Sequence, residues 1–235
     1  MAQPATQTAS TDAPPDPTST QLNLACLDFL LIELVPMAYR IAADLTAKEE
    51  EWLQGSKARS HDDDAGSTVG GTVVDEEESR EAVFQRLETL GYRVGLGIVE
   101  RFSRDKPRPQ SPLDIIKFLC KDLWTLLFRK QIDNLKTNHR GIYVLTDNTF
   151  KPLSRMSFDT KKYPNTSSGI GGGGPGGSVL GADSTGLAKA QPFLYFPAGI
   201  IRGCLAALGI QATVNAETSG LPVATFQIRT VGAKA

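Results

Sequence analysis

The sequence predicts an α+β domain with helices on one face of an antiparallel sheet. Two observations carry this. Long runs with apolar residues every third or fourth position are segregated from short alternating runs rather than interleaved with them. Three low-complexity stretches also fall outside both kinds of run, so the patterned remainder reads helix, helix, helix, hairpin, helix, hairpin.

The first helix carries Leu27, Leu30, Leu31, Leu34, Ala38, Ile41 and Leu45 on one broad apolar face, with Pro36 expected to kink it. The second repeats the pattern with Val83, Leu87, Leu90, Val94, Ile98 and Phe102. A third helix is expected to open at Ser111 as N-cap with Pro112 and Asp114 in its first turn. Its core face is Ile116, Leu119, Leu123, Leu126 and Leu127, and His139 is read as capping its end. Ile142 to Leu145 reads as a strand, turning at Asp147-Asn148 into Phe150 and Leu153. A last helix bears Phe193, Phe196, Ile200, Ile201, Leu205 and Leu208 and stops at Gly209. Thr213-Val214, a turn at Ser219-Gly220, and Val223 to Val231 complete the second hairpin.

Residues 1–20 are a proline-rich tail expected to be disordered, and 21–235 a single domain interrupted by low-complexity insertions at 55–78 and 159–190. Lys plus Arg is 25 against 26 Asp plus Glu, a balance that gives no drive toward nucleic acid. Hydrophobic residues at 40% suffice for a sizeable core. Three scattered cysteines suit a reducing compartment, and neither a secretory signal nor a membrane span is expected.

Catalytic, cofactor-binding and metal-ligating constellations are not evident. His61 beside Asp62, Asp63 and Asp64 reads as a solvated charge run, and Gly169, Gly171 and Gly174 as a linker rather than a phosphate cradle. Cys26, Cys120 and Cys204 read as core thiols, with Cys120 or Cys204 as acyl acceptor in an alternative lipid-binding reading. Gly91, Gly95 and Gly97 inside the second helix each cost about 1 kcal/mol relative to Ala. They point to close backbone packing, within the chain or across a subunit interface. Residues 101–140 hold ten Lys or Arg against four Asp, a solvated helix face or a patch for an acidic partner or anionic lipid surface.

Several blocks resemble one family. Leu90-Gly-Tyr-Arg-Val-Gly95, Leu113-Asp-Ile-Ile-Lys-Phe-Leu-Cys-Lys-Asp-Leu-Trp124, Gln131-Ile-Asp-Asn-Leu-Lys-Thr-Asn-His-Arg-Gly141 and Tyr143-Val-Leu-Thr-Asp-Asn148 are similar to the subunit-6 branch of the small TRAPP subunits, the Bet-three-like family. Phe196-Pro-Ala-Gly-Ile-Ile-Arg-Gly203 and Leu208-Gly-Ile210 fit the family's last helix and its exit. The resemblance implies helices packed on one face of a twisted four-stranded antiparallel sheet. It implies a non-catalytic scaffold subunit of a tethering complex that acts as guanine-nucleotide exchange factor for a Rab/Ypt GTPase in ER-to-Golgi and Golgi vesicle transport. The expected partner is the Bet-three subunit, as a heterodimer formed by helical faces, with other TRAPP subunits beyond it. The GTPase and the membrane would be reached only through the complex, at the cytoplasmic side of Golgi and ER-Golgi membranes. Leu27, Leu31, Leu34, Leu87, Val94 and Ile98 are the expected interface residues, since they cannot all face one sheet. The acylated cysteine of the Bet-three subunit has no counterpart in Asp105 to Ser111.

Overall fold

The computed structural model describes residue 23 and residues 25–57, 76–105, 107–109, 111–138, 140–156 and 186–231. The tail at 1–20, the centres of both insertions, His61, His139 and the Gly169-to-Gly174 motif lie outside the described residues.

Helix α1 (Ala25–Lys57) runs through Pro36, and helix α2 (Glu76–Asp105) runs unbroken through Gly91, Gly95 and Gly97. Both helices reach into the expected insertion: 55–57 belong to α1, and Glu76 to Glu78 form the first turn of α2. Carboxylates in a first turn are favoured by the helix dipole, so an acidic run there starts a helix as readily as it solvates a loop.

Helix α3 (Pro112–Phe118) begins as the sequence predicts. Ser111 has an extended backbone, its Oγ accepts from the Asp114 N–H at 3.1 Å, and Pro112 follows in the first turn. A π-helical turn, Leu119–Leu123, then joins α3 to α4 (Trp124–Phe128). The wider turn rotates the inward face by one residue. Trp124 and Phe128 are therefore buried where Leu126 and Leu127 were expected, and Leu126 is exposed.

Helix α4 ends at Phe128 on Arg129 in the left-handed conformation, about ten residues before the expected end at His139. The chain instead forms strand β1 (Asn134–Thr137) and turns over Asn138 into β2 (Ile142–Asp147). Asn138 Oδ1 accepts from the N–H groups of Arg140 and Ile142 at 2.9 and 3.1 Å. Phe150 and Leu153 are not a strand: Lys151–Ser154 is a single helical turn, α5, with Pro152 in its first turn. A short helix α6 (186–190) and a 3-10 turn (Gln191–Leu194) lead into α7 (Tyr195–Ala207), so the second insertion ends before 186. Strands β3 (Ala212–Gly220) and β4 (Val223–Thr230) close the fold.

The sheet is antiparallel in the order β1-β2-β4-β3. Leu145, Ala224, Phe226 and Ile228 point inward and are fully buried, and Ala216 on β3 joins them. They pack against Ile116, Leu119, Leu123, Trp124, Ile200 and Ile201 of the helices. A second cluster joins Leu34, Val35, Ala38 and Ala42 of α1 to Val83 and Leu87 of α2.

Among the described residues one charged group lies wholly inside. Asp147 is buried and accepts from Trp124 Nε1 at 2.8 Å, Lys130 Nζ at 2.6 Å and the Thr149 N–H at 3.0 Å. A buried carboxylate is tolerable only when so paired. Burial alone would lower the pKa of Lys130, but Asp133 and Asp147 outweigh it and raise it. Asp133 is held low by Lys130 and the Asn148 N–H, so the group ties the end of α4 to the turn after β2.

Candidate subunit interface

Two helical surfaces bear on an interface: one filled within the chain and one left exposed. The first is the contact of α2 with α7. A Cβ on Gly91 would meet Phe196 O and come within 3.1 Å of Gly199 Cα; one on Gly95 would meet Ile200 O and Gly203 Cα. From the other side, Gly199 faces Glu88 and Tyr92, and Gly203 faces Tyr92. Each helix contributes two glycines four residues apart, and their backbones touch where side chains would hold them apart. The close approach at Gly91 and Gly95 is thus within the chain. Gly97 faces open space and takes no part. Beside this seam Glu88 receives both Nε and Nη2 of Arg202, the latter at 2.7 Å, and the guanidinium lies 4.3 Å from the Tyr92 ring centroid. The Glu88 hydrogen bond raises the Arg202 pKa further above its ordinary value.

The second surface is the outer side of α1. Leu30, Met37, Ile41, Leu45 and Trp52 are all exposed, Trp52 by 82%, and spacings of seven, four, four and seven place them on one side of the helix. Phe29 and Ile32 are also exposed but lie on other sides of α1, Ile32 near Asp28 and Lys151, and Leu90 on α2 lies one turn past the buried Leu87. The helix is pinned by its packing on α2 along the neighbouring strip and by Asp28, which pairs with Lys151 and Arg155 at 2.9 Å each.

None of the six residues expected from the sequence is among these. Leu34 (6% exposed) and Leu87 (1%) meet each other's helices in the second core cluster and cannot contact a partner. Leu31, Val94 and Ile98 are half-buried against the main core, and Leu27 is half-exposed at the start of α1. Helical periodicity finds the face that packs best, and that face was already taken within the chain. The exposed residues lie next to it around the same helix.

Neither cysteine offered as an acyl acceptor is available. Cys204 is completely buried and Cys120 nearly so; burial raises their thiol pKa to about 12 and about 11. Cys204 Sγ instead donates to Gly95 O at 3.4 Å, within the helix seam. Cys26 is exposed, not in the core. A cleft of about 280 Å³ between α2 and α3 has Val99, Phe102, Phe118 and Leu208 on its walls, and its lining includes neither buried cysteine. Arg108, Lys117 and Lys121 rim it beside Asp114 and Asp122, and Lys117 pairs with Asp114 at 3.1 Å. Among the described residues no three metal-ligating side chains come together, and no helix is long and apolar enough to cross a membrane.

The family model for the transport protein particle (TRAPP) component matches residues 27–231, which spans both helical surfaces and the whole sheet. The chain belongs to the TRAPP component family. It is 43% identical over 143 residues to trafficking protein particle complex subunit 6b of Danio rerio, covering 61% of this chain and 76% of that protein. It is 45% identical over 143 residues to subunit 6B of Homo sapiens, with 61% and 75% covered. An uncharacterized protein of Schizosaccharomyces pombe is 35% identical over 208 residues, 88% of this chain and 64% of that one. Among solved structures, TRAPP complex subunit 3 from Naegleria fowleri, covalently bound to palmitic acid, aligns with a TM-score of 0.46 at 14% identity, over 83% of this chain and 99% of that one. As a TRAPP component of the subunit-6 kind, the chain is a member of a vesicle-trafficking complex.

Proposed function

We propose that this TRAPP component is a non-catalytic scaffold subunit whose α1 face binds a Bet-three-type small subunit as a heterodimer. Other surfaces join the larger assembly. In this reading guanine-nucleotide exchange on a Rab/Ypt GTPase is a property of the assembly, acting in ER-to-Golgi and Golgi transport. The chain reaches cytoplasmic membrane surfaces only through that assembly. The supporting observation is the row Leu30, Met37, Ile41, Leu45 and Trp52, apolar side chains left in solvent on a helix otherwise well packed. Contiguous exposed apolar surface of this kind marks protein contact.

Co-expression with the Bet-three-type subunit tests it. The expected result is a one-to-one complex by light scattering, lost in the double variant Ile41→Asp with Leu45→Asp. Full pairing by that variant would end the reading. The lipid-module alternative predicts an acyl adduct in the intact mass; burial of Cys120 and Cys204 argues for the unmodified mass.

A further inference from the structure

The sheet has two edges, and they differ. Strand β1 is four residues long and carries Lys136, features that discourage further pairing. Strand β3 is nine residues long and contains neither Lys nor Pro. The ladder fixes which of its groups are unused. Val231 donates to Gln211 O and Thr230 to Gly141 O, so odd-numbered residues of β4 bond β3 and even-numbered ones bond β2. Ala212, Val214 and Ala216 therefore turn their N–H and C=O groups outward. One of these has a partner from outside the sheet: Gln191 Nε2 donates to Ala216 O at 2.5 Å.

Beside this edge is a cleft of about 470 Å³. Its apolar floor includes Phe84 and Tyr195, packed edge to face with centroids 5.0 Å apart. Its walls are acidic: Glu77 and Glu81 from the first two turns of α2, and Glu217 from β3, against the single cation Arg80. Arg80 lies 3.9 Å from Glu77, and Glu81 accepts from the neutral amide of Gln85 at 2.8 Å. The edge thus combines backbone groups that the described residues leave open, an aromatic seat and an excess of negative charge.

We propose that the edge of β3 takes an extended basic segment of a partner protein as a fifth strand, an apolar side chain resting on Phe84 and Tyr195 and a Lys or Arg lying between Glu81 and Glu217. Strand addition of this kind draws affinity from main-chain bonds and specificity from alternate side chains. The surface is separate from the α1 face, so the proposal stands whether or not that face pairs as described above.

The probe is a fluorescein-labelled alternating Lys-Val hexapeptide, titrated against the full chain by fluorescence anisotropy. Saturable binding is expected, with the Glu-Val counterpart about tenfold weaker or worse. N-methylation of one alternate set of peptide amides should weaken binding about tenfold, and of the other set leave it unchanged, because a strand offers only every second amide to the edge. Val214→Pro should abolish binding without breaking the β3–β4 ladder, since its N–H points outward. Glu81→Lys with Glu217→Lys should reverse the preference between the two peptides. Equal binding of both N-methylated sets, equal binding of the acidic peptide, or no saturable binding at millimolar peptide would each overturn the proposal. So would concentration-dependent protection of the Val214 amide from hydrogen exchange in the free chain, which would assign the edge to a second copy.

Discussion

The α2–α7 seam and the outer side of α1 are both helical surfaces, built on opposite plans. At the seam, four glycines remove side chains so that backbones meet, and the charged pair Glu88–Arg202 seals one flank. On α1, large apolar side chains stand exposed, with nothing among the described residues to cover them. The first surface is finished within the chain and the second is not. Apolar content alone therefore does not locate an interface; what separates the two is whether the geometry leaves room for a neighbour.

Adding volume at the seam should break that comparison most severely. Gly95→Leu or Gly203→Val forces a side chain into backbone and should cost at least ~3 kcal/mol, read as loss of the urea unfolding transition or failure to fold. Gly97→Ala, on the same helix but facing open space, should instead gain up to ~1 kcal/mol. Next comes the α1 face. Ile41→Asp should weaken pairing by about 2 kcal/mol or more, roughly thirtyfold, while changing the isolated chain's stability by less than ~0.5 kcal/mol. Leu34→Asp, four residues from Ala38 on the inner face, should unfold the chain rather than uncouple it.

A smaller effect is expected at Glu88→Gln. Arg202 is partly exposed, so its lost pairing should cost about 1 kcal/mol by chemical denaturation. The thiols give a separate test. In the folded chain Cys26 should react first with a thiol reagent, and Cys204 only after unfolding. Because burial raises the Cys204 pKa to about 12, the unfolded chain releases this proton first, near pH ~8.5. Its contribution to stability is therefore constant below that pH and declines as pH rises toward 12, which denaturation at pH 7 and pH 10 would register against a Cys204→Ala control.

Much of the architecture could be read from the residues. Three long apolar periodicities became α1, α2 and α7, the Ser111-Pro112-Asp114 start is the observed cap, and the alternation of Ala224, Phe226 and Ile228 is the central strand. What was not legible has specific causes. Strand β1 bears a single inward apolar residue, Leu135, so no alternation announces it, and the residue that ends α4 is an arginine rather than a glycine. The π turn leaves no sequence mark, yet it exchanges Leu126 for Trp124 in the core. Phe150 and Leu153 satisfy a helical turn as well as a strand, and Pro152 decides between them. For the site, α1 is apolar around most of its circumference, so periodicity could not say which apolar residues its own chain covers. That needed the position of Val83 and Leu87.

The glycine seam also acts as a keyed joint. Its notches are single residues at fixed steps, so sliding α2 along α7 by one residue would drive Tyr92 or Leu96 into main chain. The two helices have one seating and no slack. Since α1 rides on α2 and the sheet packs on α7, this joint fixes where the α1 face stands relative to the sheet.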